Sequence, residues 1–165
     1  MDTTHGPVQL FASVFIEHEG SVLLIKEGKP EIYGMWNHPA GHLEGTETPF
    51  ACAIREAKEE TGYDIVLTKL QNIYYYRSAD LYALNFCFLA RLANLSQGSF
   101  GSDILETAWM TPAELVAIPP QAFRSLSTVR RVRDYLDGVS YPLSVIQTWT
   151  DNPFDRFEAH SSSSP

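Results

Sequence analysis

The helix expected over residues 49–61 constrains this chain more than any other segment, because it is written against its own stability. Thr48 is placed to cap it, Pro49 to open it and Gly62 to close it. At about 100° per residue, Phe50, Ala53, Ile54 and Ala57 share one face, the face to bury. Glu56, Glu59 and Glu60 share another. Carboxylates at these spacings repel by roughly 0.2–0.5 kcal/mol per pair. They also lie in the C-terminal half, where the helix dipole favours cations. A solvated acidic face relieved by Arg55 and Lys58 is the plain alternative. Against it, Lys58 projects away from the carboxylates, and a glycine-containing loop with two more glutamates, Glu44 and Glu47, precedes the helix. Convergent carboxylates without His or Cys suit a hard, oxygen-loving dication, Mg2+ best and Mn2+ as its substitute. Such an ion stays partly hydrated and is completed by substrate phosphates.

The rest of the chain sets the frame. Its 165 residues suffice for one domain, expected over 1–157, with a low-complexity tail at 158–165 expected to be disordered. A net charge of −8 argues against a nucleic-acid footprint, which needs clustered Lys and Arg. It leaves room for a small anionic substrate if a cation stands between protein and ligand. Cys52 and Cys87 cannot build a disulfide framework or a Cys-based zinc site, and read as small buried hydrophobes. The longest apolar stretch, 81–92, is too short for a bilayer, which needs ~20 residues. Residues 1–7 show no basic start with an apolar run. The expectation is a cytoplasmic protein without a membrane partner, either monomer or homodimer.

Hydrophobic periodicity predicts strands over 8–17 and 21–26, joined at Glu19-Gly20, and a short strand over 36–39. Longer strands are predicted over 65–76 and 81–92, with a turn near Ser78-Ala79-Asp80, and another strand over 104–110. Thr111-Pro112-Ala113-Glu114 reads as a capped helix start. Leu126, Val129, Val132 and Leu136 predict a third helix, ending before Gly138. Strands interrupted by isolated helices suggest a mixed sheet covered by helices.

The segment from Gly41 to Tyr63 resembles the signature box of the Nudix hydrolases. Gly41, Glu47, Arg55, Glu56, Glu59, Glu60 and Gly62 fill all of that box's fixed charged and glycine positions. Its two hydrophobic slots hold Ala57 and Tyr63, departures that touch packing rather than chemistry. The resemblance implies an α/β (α+β) fold, the Nudix-type α/β/α sandwich with a mixed β-sheet, and hydrolysis of a phosphoanhydride. It further implies that Glu56, Glu59 and Glu60 are metal ligands, one of them able to serve as base, with the Gly41 carbonyl as a further ligand. Arg55 would orient the cluster by pairing with Glu47, a structural support or an outer ligand. Many members add an acid from a later loop. Glu106 and Asp103 are the candidates here, Glu106 the favoured one.

Outside the box, residues 35–44 resemble a bacterial phosphatase subgroup of the family. So do Ser102-Asp103-Ile104 with Trp109, Phe123-Arg124-Ser125, Tyr141-Pro142-Leu143 and Asn152-Pro153-Phe154. That subgroup releases phosphate from nucleoside tri- and diphosphates and from hydroxymethylpyrimidine pyrophosphate. The alternatives are a Nudix pyrophosphohydrolase acting on modified nucleotides or nucleotide sugars, and a sensor that binds a nucleotide without turnover. Trp36 and Tyr33 are candidates to stack on a base. At least one of Tyr74, Tyr75 and Tyr76 must face a ligand side, because successive rings alternate along a strand. Arg124, Lys29 and Arg77 are candidate phosphate contacts, Arg124 the best of them. His38 and His42 read as loop contacts and not as metal ligands. The loops 27–33 and 94–101 match no motif and are expected to shape the pocket.

Overall fold

A computed structural model describes residues 8–79 and 81–149. The expected domain end at 157, the tail 158–165, the Asn152-Pro153-Phe154 motif and Asp80 of the expected turn lie outside them. Seven strands form one sheet. β1 (Val8–His18) and β2 (Ser21–Glu27) meet in a tight hairpin, paired at Glu17↔Val22 and His18↔Ser21. Both turn residues, Glu19 and Gly20, have positive φ. Beyond the turn the two strands part. β2 pairs with β3 (Trp36–Asn37) and β7 (Ile104–Met110), and the start of β1 pairs with β4 (Ala40–His42). The other edge of β1 runs parallel to β6 (Tyr82–Leu92), which forms an antiparallel pair with β5 (Ile65–Arg77). One parallel pairing among antiparallel ones makes the sheet mixed, as expected.

The period-2 alternation of β1 decides which helix covers which face. Ala12, Val14 and Ile16 pack with Cys52, Ala53 and Ala57 of α1 (Pro49–Thr61) and with Phe88 and Ala90 of β6. Phe15 points the other way, with Cys87, into a second cluster closed by Leu115 of α2 (Pro112–Ala117) and Val132 of α3 (Leu126–Leu136). Helices thus cover both faces, the α/β/α sandwich that the signature box implied. The expected caps are present. Thr48 Oγ1 accepts from Ala51 N, and Thr111 and Glu114 make a reciprocal capping box. At α3, Ser125 Oγ accepts from Thr128 N.

Three details differ from the sequence expectations. Ile54 is 43% exposed, while Cys52 and Glu56 are buried with Ala53 and Ala57. The contact face of α1 is therefore rotated toward the small residues that let the helix lie close to β1. The strand expected over 36–39 ends at Asn37 and β4 begins at Ala40, because Pro39 between them has no N–H for a ladder; its carbonyl instead accepts from Val14 N. The loop 94–101 does not border the principal cavity. It folds under the C-terminus of α1, where Gly98 N donates to Gly62 O, Gly101 N to Glu59 O, and Gln97 Nε2 to Thr61 O. Carbonyls that a helix end leaves unpaired are satisfied there.

Gly62 closes α1 with φ +76°, and a Cβ on it would collide with the Gly98 backbone. Replacing Gly62 by Ala is expected to destabilise the fold by about 1–3 kcal/mol, read as a lowered urea midpoint. A loss within a few tenths of a kcal/mol would mean that this loop does not seal the helix.

Candidate active site

β1 has two different partners along one edge, β2 near its end and β4 near its start. At that split the two helical layers meet in one cavity of about 410 Å³. Glu56 and Glu60 of α1 line it together with Gly41 of β4. Lys29, Arg124 and Arg131 line it too, the last from α3 on the opposite layer. Tyr76 and Asn85 supply part of its floor.

Arg55 organises the acidic side. Its Nε donates to Glu47 Oε1 at 2.7 Å and its Nη2 to Glu47 Oε2 at 3.0 Å, a bidentate pair. Nη2 also donates to His42 O, at the loop that leads into the helix. Nη1 reaches Glu56 Oε1 at 2.7 Å and Glu59 Oε2 at 3.3 Å. The bond from Arg55 holds the Glu47 carboxyl well below the ordinary range. Burial pushes Glu56 up, against the pull of Arg55. Glu60 is partly buried, and its surroundings push its carboxyl up to about 8, burial first and then Glu56 and Glu27. Its Oε2 accepts from Ala40 N at 2.9 Å. Gly41 is required by proximity, because a Cβ there would overlap the Glu56 carboxylate.

Among the described residues, no group of three His, Cys, Asp or Glu side chains is placed to hold an ion by itself. Arg55 takes the oxygens of Glu56 and Glu59 for itself. The donor set nevertheless fits a hard dication. It is all oxygen, it includes a crowded carboxyl that burial, Glu56 and Glu27 together push up to about 8, and it borders a glycine whose missing side chain makes room for a carboxylate.

Other sequence candidates fall elsewhere. Glu106 stands on β7 in an ion pair with Lys26 at 2.8 Å and does not border the cavity. Asp103 offers its backbone carbonyl to Gly28 N. Trp36 packs into the second core cluster with Lys26 Nζ 4.5 Å above its ring, and Tyr33 is 66% exposed; neither lines the cavity. Arg77 lies over the Tyr82 ring. Of the three consecutive tyrosines, Tyr75 faces solvent, Tyr74 donates to Asp134, and Tyr76 borders the cavity. His42 packs on Phe11 and borders the cavity, whereas His38 is fully buried.

Two polar residues that the sequence reading did not single out stand here. Glu27 is 1% exposed; its Oε1 accepts from Asn37 Nδ2 and Arg124 Nη1, and its Oε2 has no hydrogen-bond partner. Arg131 is 6% exposed and donates from Nε to His38 Nε2 at 2.7 Å. Burial, and then the charge of Arg131, keep the His38 pKa well below its ordinary value, so the neutral ring can accept that bond. The hydrogen then sits on Nδ1, facing Pro39 O. Glu27 reads as the end of a strand. Arg131 shares a helix stripe with Thr128 and Tyr135 beside Val132, where spacing alone cannot tell a buried cation from a solvated one.

Residues 8–132 match a family model described as the NUDIX domain. The Escherichia coli (strain K12) protein named Phosphatase NudJ is 31% identical over 136 residues, 79% of this chain and 85% of that one. A structure titled NUDIX hydrolase from Nitrosomonas europaea superposes with a TM-score of 0.77 at 27% identity, covering 87% of this chain and 98% of that one. The MutT NUDIX hydrolase of Burkholderia pseudomallei, at 19% identity, shares the fold with a TM-score of 0.65 over 78% of this chain and 98% of that one.

The raised Glu60 carboxyl has a consequence for the metal-free protein. In the unfolded chain it ionises near 4.5, in the folded one near 8. Folding between those values therefore takes up a proton, and stability falls as pH rises through that window. Glu60→Gln is expected to raise stability at pH 7 by about 1–3 kcal/mol and to flatten that slope, measured by chemical denaturation with chelator present. An unchanged pH slope in the variant would remove Glu60 as its source.

Proposed function

The chain belongs to the Nudix hydrolase family, and on that premise we propose that it is a Mg2+-dependent hydrolase of nucleoside tri- or diphosphates, or of a related small pyrophosphate, that releases orthophosphate. Hydrolysis as a class follows from the family. The substrate, the product and the ion are this proposal. The observation that carries it is the lining of one cavity, which brings the carboxyls of Glu56 and Glu60 together with the cations Lys29, Arg124 and Arg131. A polyphosphate needs both: donors for its oxygens, and a place for the ion that neutralises its charge. The name carried by the E. coli relative, a phosphatase, supports orthophosphate as the product.

In this reading Glu56, Glu59, Glu60 and the Gly41 carbonyl would hold Mg2+, or Mn2+ in its place. The ion, when bound, supplies charge neutralisation and a more acidic water. Arg55 keeps the acids in register, and Glu47 anchors Arg55. One of Glu56, Glu59 and Glu60 would take the proton from water. Arg124 and Lys29 bind phosphate oxygens. Glu106, Trp36 and Tyr33 border a different part of the surface, so a role for them rests on contacts that a bound substrate would have to make beyond the cavity. No helix among the described residues is long and apolar enough to cross a membrane, and a small phosphorylated molecule in the cytoplasm is the partner proposed.

The test is product identity. Incubation with Mg2+ and a panel of nucleoside tri- and diphosphates is expected to yield orthophosphate, and chelation to abolish it. Pyrophosphate or a nucleoside monophosphate as the first product would favour the pyrophosphohydrolase reading, and binding without turnover the sensor reading. Glu59→Gln and Glu60→Gln are each expected to lower kcat at least 100-fold with circular dichroism unchanged. Full activity in both would sink the metal assignment.

A further inference from the structure

Among the described residues the charge of Arg131 meets the Tyr74 ring, 5.9 Å from its guanidinium carbon, and no carboxylate. Arg131 is 6% exposed, and each hydrogen bond of its guanidinium ends on a neutral group: Nε on His38 Nε2, Nη1 on the Tyr76 hydroxyl, and Nη2 on Thr128 Oγ1 at 3.3 Å. Among the described residues no carboxylate lies in ion-pair range of it. Arg124, by contrast, is paired with Glu27 at 3.1 Å, and Arg130 with Asp134 at 3.0 Å. A buried guanidinium without an anion is costly, and such groups are normally paired. It has five N–H donors, and three are spent, which leaves two without a partner among the described residues. The same side chain borders the cavity beside Ser125, the N-cap of α3, and Ser127 in its first turn, a helix end whose dipole favours negative charge. The carboxyls of Glu56 and Glu60 border that cavity as well.

We propose that Arg131 is a specificity-determining anchor for a terminal phosphate, the uncapped end of the substrate. Arg131 is 6% exposed where it lines the cavity, so a phosphate that reaches it stands at the inner end of a bound ligand. His38 and Tyr76 are its positioning residues: the neutral imidazole fixes Nε and the phenol fixes Nη1, so the two unspent donors are aimed and not free to wander. The inference rests on the proposed reaction and adds which bond is presented. With the end phosphate held, water's oxygen bonds to the terminal phosphorus. The bridging P–O bond breaks, and its electron pair stays on the oxygen kept by the shortened nucleotide. One water hydrogen leaves with orthophosphate and the other enters solvent as a proton.

The test compares the Mg2+-loaded wild type with Arg131→Lys and Arg131→Met. The substrates are a nucleoside triphosphate and a nucleotide sugar, whose diphosphate is capped at both ends, and inorganic phosphate serves as a competing probe. Loss of a charge-assisted bidentate contact is expected to raise KM for the triphosphate by about 10- to 100-fold, with kcat within a few-fold. Phosphate inhibition should weaken at least tenfold, and KM for the capped substrate should rise far less than KM for the triphosphate. Equal KM and equal phosphate inhibition in folded variants would overturn the anchor. Should both variants fail to fold, Tyr76→Phe decides, because it keeps the arginine and removes one of its guides: a several-fold rise in KM for the triphosphate alone supports the anchor, and no change overturns it. If the wild type turns over no phosphoanhydride, the reaction reading falls by itself. The anchor is then judged on thermal stabilisation by phosphate, present in the wild type and absent in Arg131→Lys if it is right, equal in both if it is wrong.

Discussion

One guanidinium allows the acidic turn of α1 to exist. Arg55 takes both oxygens of Glu47, then Glu56 and Glu59, and ties the bundle to the backbone of the preceding loop at His42. Without that clasp, like charges three and four residues apart would repel at the helix end least suited to them. The arginine also explains why the acids form no ready-made metal cage by themselves: it already consumes oxygens that a dication would want. In the proposed reading Arg55 would act as an aligner, a fixed cation that keeps these carboxylates close enough for a dication to join them.

The second constraint is topological. α1 and α3 cover opposite faces of the sheet, yet both reach one cavity because β1 changes partner along a single edge. A continuous edge would leave an acidic face and a basic face with a sheet between them. The split brings carboxyls and cations to the lining of one space. An acidic protein of net charge −8 can in this way offer a local cationic surface to an anion.

Beneath that cationic side runs a polar network that a core of this size would be more stable without. Glu27 binds Asn37 and Arg124; Asn37 accepts from Thr128, and Thr128 accepts from Arg131. Buried networks of this kind fix one geometry when satisfied and are expensive where they are not. Glu27 Oε2 is left over behind the cavity and Gln71 Oε1 beside the backbone of Arg131, while Arg131 itself borders the cavity with donors to spare. Native proteins keep such defects at functional sites, where a ligand completes them.

Much of the chemistry was legible in the chain because it is local. The spacing of Glu56, Glu59 and Glu60 is a property of a helix, the caps of α1 and α2 are set by residues within a few positions, and the pairing of Arg55 with Glu47 joins one loop to its own helix. Gly41 and Gly62 were marked by the signature, although their reasons, a carboxylate against one Cα and a backbone against the other, are contacts between segments. What the chain did not disclose is long-range. Ile54 looked buried and is exposed because the angle at which α1 meets β1 is set by packing against Ala12 and Val14. Glu27, Asn37, Thr128 and Arg131 come from three distant stretches, and no periodicity distinguishes a buried charge from a solvated one on the same helix stripe. The sequence by itself determined the acidic helix, its caps and the reaction class, since those depend on neighbours along the chain. Only the tertiary structure decided which cations face those acids, since that depends on where the sheet opens.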